Sequence, residues 1–191
     1  MRYLRSSLFL LLMLILLTGG VYPLLTTGLA QWLFPSQSNG SLVYRNGTAV
    51  GSSLIGQAFT HKGYFQGRPS ATADTSYNPL ASGGSNLAAS NPALDKLLEQ
   101  RAAGWRQLSG GVQPIPVELL TASASGLDPH ISPDAARYQA SRIAQVRGIS
   151  LQRVQQLIDQ LTQTGKPAFI GQPTVNVLML NLALDKEKPL P

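Results

Sequence analysis

The sequence predicts an α/β (α+β) soluble domain anchored by one N-terminal transmembrane helix. Three observations predict it. No side chain from Ser6 to Tyr44 is charged, and Leu8 to Leu17 is purely apolar. Farther on, Asn91-Pro92 and Ser132-Pro133 open stretches with apolar residues at 3–4 spacing, the pattern of capped amphipathic helices. Short alternating runs around Asn46-Gly47 read as strands. The expected layout is a short cytoplasmic tail at 1–7, a membrane helix at 8–30, a linker at 31–40 and an extracytoplasmic domain at 41–191.

Taken as one helix, residues 8–30 are roughly 35 Å long at about 1.5 Å per residue, enough for a hydrocarbon layer of about 30 Å. The same stretch satisfies a signal peptide: Arg2 and Arg5, an apolar core, and Gly28-Leu29-Ala30 before Gln31. A retained anchor is the preferred reading, because apolar character continues through Trp32, Leu33 and Phe34. Trp32 and Tyr22 are also residue types that settle at membrane–water boundaries. Pro23 removes the N–H that would bond the Gly19 carbonyl, an orphan acceptor that is costly in lipid. Gly19 and Gly20 admit a neighbouring backbone there, and Thr18, Thr26 and Thr27 supply hydroxyls, so Gly19, Gly20 and Pro23 are candidate helix-packing residues. Arg2 and Arg5 on the short tail place the N-terminus inside and the remainder outside.

Removing the first 34 residues leaves about 157, room for one domain with its own core. The absence of Cys excludes disulfides, thiolate metal sites and a lipid-anchored bacterial lipoprotein. The pI near 9.9 raises nucleic acid as a partner. That partner is discounted, because the Lys and Arg residues are dispersed without a run or a recognised binding motif.

In chain order, Ser41–Tyr44 and Ala49-Val50 flank Asn46-Gly47, a β-hairpin signature. A further strand is expected at 53–57. Residues 60–90 form a loop too long for a plain connection, and Tyr64, Phe65, Arg68 and Tyr77 argue that it is ordered. Within it Gly84-Ser85-Asn86-Leu87 is a weak echo of a nucleophile elbow. Turn-forming Ser82, Ser85 and Asn86 explain it more simply. A helix follows from Asn91, with Leu94, Leu97, Leu98, Ala102, Trp105 and Leu108 as its core stripe and Ser109-Gly110-Gly111 as its end. Val117–Leu120 reads as a strand.

Thr121 to Ile131 is a second candidate working surface, where Ser125, Asp128 and His130 stand close together. A lone His beside an Asp is more often a hydrogen-bonded loop residue than a general base. Ser132 caps the next helix, with Ala136, Ala140, Ile143 and Ala144 inside and Arg137 and Arg142 outside. Gly148 ends it. Ser150 starts another, with Leu151, Val154, Leu157, Ile158 and Leu161 on one side and Gly165 and Pro167 closing it. Val175–Leu184 is a buried helix with Pro173 in its first turn, a core strand being the alternative.

No phosphate-binding loop, His-Glu-x-x-His, Asp-Lys-Thr-Gly or carboxylate pair is present, so no catalytic or metal-ligating residue is expected. Several longer motifs then become specific. They are Thr18-Gly19-Gly20-Val21-Tyr22-Pro23, Gly67-Arg68-Pro69-Ser70, Ser82 to Leu87, Leu120 to Pro133, and Asn176 to Asp185. In this order the chain resembles the small C subunit of Kdp-type potassium-transporting ATPases over essentially its full length. It departs at Met179, where many members carry Glu, and its tail after Lys186 varies.

The resemblance implies a non-catalytic subunit of a bacterial inner-membrane complex that uses ATP to import potassium. Its implied partners are an ion-conducting A subunit, an ATP-hydrolysing P-type B subunit and a small F subunit, with ATP and potassium used by the complex. The implied role is assembly of the complex and a raised ATP affinity of the B subunit. Candidate subunit-contact residues are Arg68, Ser85, Asn86, Ser125, Asp128 and His130. The alternative is a secreted binding protein or hydrolase using Ser85 or His130. A free potassium-binding module fits poorly, for want of clustered carboxylates.

Overall fold

The computed structural model describes residues 2–110, 113–165, 167 and 169–190. The chain divides into two compact units, Met1–Ser52 and Ser53–Pro191.

In the first unit, α1 (Arg2–Leu16) runs through a π-type turn at Leu17–Val21 into α2 (Tyr22–Leu33). Tyr3–Leu33 is thus one helical stretch, long and apolar enough by length and composition to cross a membrane. The wide turn sits just before Pro23, where the Tyr22 N–H reaches back to the Leu17 carbonyl. A residue without an N–H breaks the i→i−4 ladder, and one extra residue per turn is a common accommodation. The threonines do not serve the Gly19 carbonyl, contrary to expectation. Thr18 Oγ1 donates to the Leu14 carbonyl at 2.6 Å and Thr26 Oγ1 to that of Tyr22 at 2.9 Å. The helix also outruns the expected 8–30. It ends at Phe34 (φ −135°), and the linker begins with one helical turn, α3 (Pro35–Ser38).

Strands β1 (Leu42–Arg45) and β2 (Thr48–Ser52) pair antiparallel, with a register shift between Val43 and Tyr44. Asn46 (φ 51°) and Gly47 (φ 79°) form the turn that this dipeptide predicts.

The second unit holds a three-stranded antiparallel sheet, β3 (His130–Ile131), β5 (Thr174–Asn176) and β4 (Thr162–Gln163), with β5 in the centre. Ile131 pairs with Val175, and Val175 with Thr162. Its helices are α4 (Pro92–Ser109), α5 (Pro133–Arg147), α6 (Leu151–Leu161) and α7 (Val177–Glu187). Each starts on a side-chain cap, with Asn91, Ser132, Ser150 and Asn176 accepting from the N–H of Ala93, Ala135, Arg153 and Met179. Small residues on α5 (Ala135, Ala136, Ala140) share the core with Ile131, Ile143, Val154, Ile158, Val175, Leu180 and Leu184.

Several expectations are corrected. The segment 53–57 is not a strand. Its Gly56 N–H bonds the Leu127 carbonyl, and Gly56 lies so close under the Tyr77 ring that a Cβ would stand 2.4 Å from Cε1. Val117–Leu119 is a 3₁₀ turn rather than a strand, because buried Leu119 anchors it and its carbonyl accepts from Trp105 Nε1 at 3.0 Å. The helix from Ser150 stops at Leu161, before Gly165 and Pro167, because Thr162-Gln163 leave to pair with β5. Val175–Leu184 is strand then helix: Pro173 precedes β5, and the Asn176 cap turns the chain into α7. Arg142, expected outside, is buried. Gly110 (φ 62°) ends α4, and Gly111 lies outside the described residues.

Arg142 and its neighbours explain how the long loop is ordered without regular structure. Phe65 is 0 % exposed. Its N–H donates to Asn181 Oδ1 (2.8 Å) and its carbonyl accepts from Asn181 Nδ2 (2.9 Å). Gln139 does the same for Gln66, at 2.8 and 3.0 Å. Two side-chain amides thus replace the backbone ladder that a strand would supply. Arg142 donates to the carbonyls of Lys62 and Tyr64, and burial pushes its guanidinium down to about 10. Arg147 Nε donates to the Gly63 carbonyl at 2.7 Å, while Nη2 pairs with Asp185 at 2.9 Å. The Arg147 guanidinium also stacks 4.8 Å from the centre of the Tyr64 ring, whose hydroxyl donates to Asp185 at 3.0 Å.

Candidate functional site

Once 61–66 is pinned, the chain emerges at Gly67 and Arg68 and crosses the loop 121–130. Ser70 Oγ donates to the Gly126 carbonyl (2.8 Å) and accepts from the Tyr77 N–H (2.8 Å). The Gly83 N–H and the Ser82 hydroxyl both donate to the Ser125 carbonyl, at 2.9 and 3.1 Å. Ser82 therefore ties two distant segments together instead of closing a local turn. Gly126 has φ 68°, and a Cβ there would stand 2.6 Å from the Gly83 carbonyl oxygen, so only glycine lets the loops pass this closely.

Arg68, Asp128 and His130 meet at this crossing. Arg68 Nη1 lies 3.6 Å from Asp128 Oδ2, and Arg68 Nη2 donates to the Ala122 carbonyl at 3.2 Å. Asp128 Oδ1 accepts the His130 N–H at 2.9 Å and lies 3.5 Å from His130 Nδ1. The His130 side chain, its hydrogen bond first, holds the Asp128 carboxyl below the usual carboxylate range. Burial opposes this, and the Arg68 charge adds a smaller pull. Beneath them the Tyr77 hydroxyl donates to the Arg68 carbonyl at 2.6 Å. Burial, helped by the Asp128 charge, pushes that phenol up to about 12.

A recess of about 660 Å³ opens on one side, lined by Arg68, Glu118, Asp128, His130, Arg137 and Thr174. Another of about 640 Å³ lies between Leu54, Ile55, Ser125 and Leu127, and Arg68 and Asp128 line both. Glu118 is already committed, accepting the Ser132 N–H and hydroxyl at the start of α5.

Of the six contact candidates, the structure joins Arg68, Ser125, Asp128 and His130. Ser85 and Asn86 are exposed on the loop beside them, Asn86 at φ 52°. The Asp128–His130 pair has the form of a base and its orienting carboxylate. Among the described residues no hydroxyl hydrogen-bonds His130, and no three His, Asp or Glu residues group as a metal site. The arrangement holds two loops rigid and presents a surface. Away from the central Arg68–Asp128 pair the two loops carry little charge: from Pro69 to Leu94 only Asp74 is charged, and from Leu119 to Leu127 nothing is.

Gln139, Arg142, Arg147, Asn181 and Asp185 carry the site from below, and the sequence reading did not single them out as site residues. A usable signal existed in part: Asn181 and Asp185 stand four apart in an otherwise apolar run, and so share one helix face.

Residues 4–186 match the family described as KdpC: K+-transporting ATPase, c chain. The chain is 73 % identical over 191 residues to the potassium-transporting ATPase KdpC subunit of Pectobacterium atrosepticum, covering 100 % of both chains. It is 58 % identical over 189 residues to that of Klebsiella pneumoniae subsp. pneumoniae, covering 98 % of this chain and 99 % of the relative. To that of Escherichia coli O157:H7 it is 56 % identical over 187 residues, covering 97 % and 98 %.

Proposed function

This chain belongs to the KdpC family of K+-transporting ATPase c chains, and from that premise we propose that it acts without chemistry of its own, as an assembly subunit. The helix Tyr3–Leu33 is its single membrane anchor, with Arg2 and Arg5 on the cytoplasmic side and the second unit outside. Gly19, Gly20 and the turn before Pro23 dock against helices of the ion-conducting A subunit, the ATP-hydrolysing B subunit or the small F subunit. The crossed loops contact the A subunit beside the potassium entrance. ATP and potassium belong to the complex. Any gain in ATP affinity reaches the B subunit as coupling through membrane helices, since a domain outside does not meet cytoplasmic ATP.

One observation supports this reading most: two loops over 50 residues apart are locked by Arg68, Ser70, Tyr77, Asp128 and Gly126 into one face whose flanking loop residues are almost all uncharged. Interface cores are depleted of charge in the same way. The test is co-purification from membranes through a C-terminal tag, with wild type and a Gly19→Leu/Gly20→Leu variant. Recovery of the other ATPase subunits with wild type and their loss with the variant is expected. A mature chain lacking residues 1–30 by intact mass, with no subunits attached, contradicts the proposal and favours the secreted alternative.

A further inference from the structure

The loop face carries one feature that its internal wiring does not use. Leu80 is 95 % exposed, the most exposed large apolar side chain among the described residues, yet the loop that presents it is tightly built. Thr72 Oγ1 donates to the Thr75 carbonyl at 2.6 Å and accepts from the Asn78 N–H at 3.1 Å. Asn78 Nδ2 donates to the Ala73 carbonyl, and Asn78 Oδ1 accepts from the Leu80 N–H at 3.0 Å. Tyr77, pinned to Ser70 and Arg68, fastens this knuckle to the crossing below.

Two non-glycine residues within it, Asp74 (φ 65°) and Tyr77 (φ 59°), adopt left-handed backbone, which side chains with a Cβ rarely take up without strain. Strain kept by tight wiring, in a loop whose visible product is an exposed leucine beside a lone carboxylate, points to binding.

We infer that residues 72–81 form a preorganised docking knob. Leu80 enters an apolar pocket on the ion-conducting A subunit, and Asp74 pairs with a Lys or Arg on the rim of that pocket. The partner chemistry follows from charge. Asp74 is the sole charged residue in its stretch of the face, and among the described residues no cation pairs with it. A complementary surface therefore offers one cation in an otherwise neutral, apolar setting. Rigidity lowers the ordering entropy lost on docking. The inference rests on the proposal that this chain assembles with the other ATPase subunits, and the test separates the two.

A photo-crosslinking residue, p-benzoylphenylalanine, is placed at Leu80, at Ser85 or at Gln156 in the full chain within the intact complex. Leu80 is expected to crosslink the A subunit, and Gln156, exposed on α6 and outside the recess lining, is not. Crosslinking from Ser85 but not Leu80 overturns the knob while leaving loop-face docking intact. Crosslinking from Gln156 alone overturns both. In parallel, Leu80→Asp and Asp74→Asn are each expected to lower co-purified partner at least tenfold with an unchanged melting temperature, since both side chains are exposed and Asn tolerates the left-handed backbone as Asp does. Undiminished recovery with Leu80→Asp overturns the knob.

Discussion

The outer face of α5 and α6 and the crossed-loop face solve opposite problems. The helix face carries Asp134, Arg137, Asp159 and Arg153, and Glu187 of α7 joins them. All are in exposed ion pairs: Arg137 with Asp134 and Asp159, Arg153 with Glu187. Its backbone is regular, and its bonds are satisfied within each helix. The loop face has one isolated charge, Asp74, besides the half-buried Arg68–Asp128 pair, no regular element between Leu54 and Asn91, and three non-glycine residues at positive φ. Its order is supplied from beneath, by buried amide and guanidinium groups of α5 and α7. A surface meant for water keeps charges and needs no special backbone. On the proposed reading the loop face is a partner's surface, with few charges of its own and its shape held by the core.

The comparison breaks most sharply at the buried pair. Arg147→Ala removes the guanidinium that pairs with Asp185 and frees the Gly63 carbonyl, a loss of about 3–5 kcal/mol. In a melt of the full chain in mild detergent this is expected as a drop of roughly 10 °C. Next, Gln139→Leu strips both partners from Gln66, a loss of about 2 kcal/mol. Amide exchange should rise across 63–70 while α6 stays protected, and equal exchange in both would refute the pinning from below.

A smaller effect separates the faces by pH. The Asp128 carboxyl is depressed on folding, so its contribution is present above the unfolded value near 3.9 and is lost as pH falls through the folded value. At 32 % side-chain exposure the effect stays under about 1 kcal/mol. The melting gap between wild type and Asp128→Asn at pH 7 should therefore close below about pH 4. A gap of constant size down to pH 3 would contradict the pairing. Least of all, Arg137→Ala on the helix face should shift stability by no more than about 0.5 kcal/mol.

Local chemistry made much of this legible. Ser, Asn, Pro and Gly at helix ends marked α4 and α5 to within a residue, because a cap is satisfied by neighbours two or three positions away. Asn46-Gly47 marked the hairpin for the same reason. Arg68, Asp128 and His130 were singled out from two separate stretches, and the fold brings them together. What stayed hidden depends on distant partners. Phe65 and Gln66 meet Asn181 and Gln139 across 116 and 73 residues, and no periodicity announces an amide that imitates a strand. Arg142 looked like a solvent-facing charge, because its acceptors are loop carbonyls near 62–64. Val117–Leu120 looked like a strand because alternation alone cannot say whether a neighbouring strand exists to pair with.

Hydrogen–deuterium exchange on this chain, free in detergent and within the intact transporter, tests the division between the two faces most directly. The account predicts slowed exchange in 70–86 and 121–130 on assembly, with the outer face of α5 and α6 unchanged. Protection confined to α5 and α6, with the crossed loops exchanging as before, would contradict it.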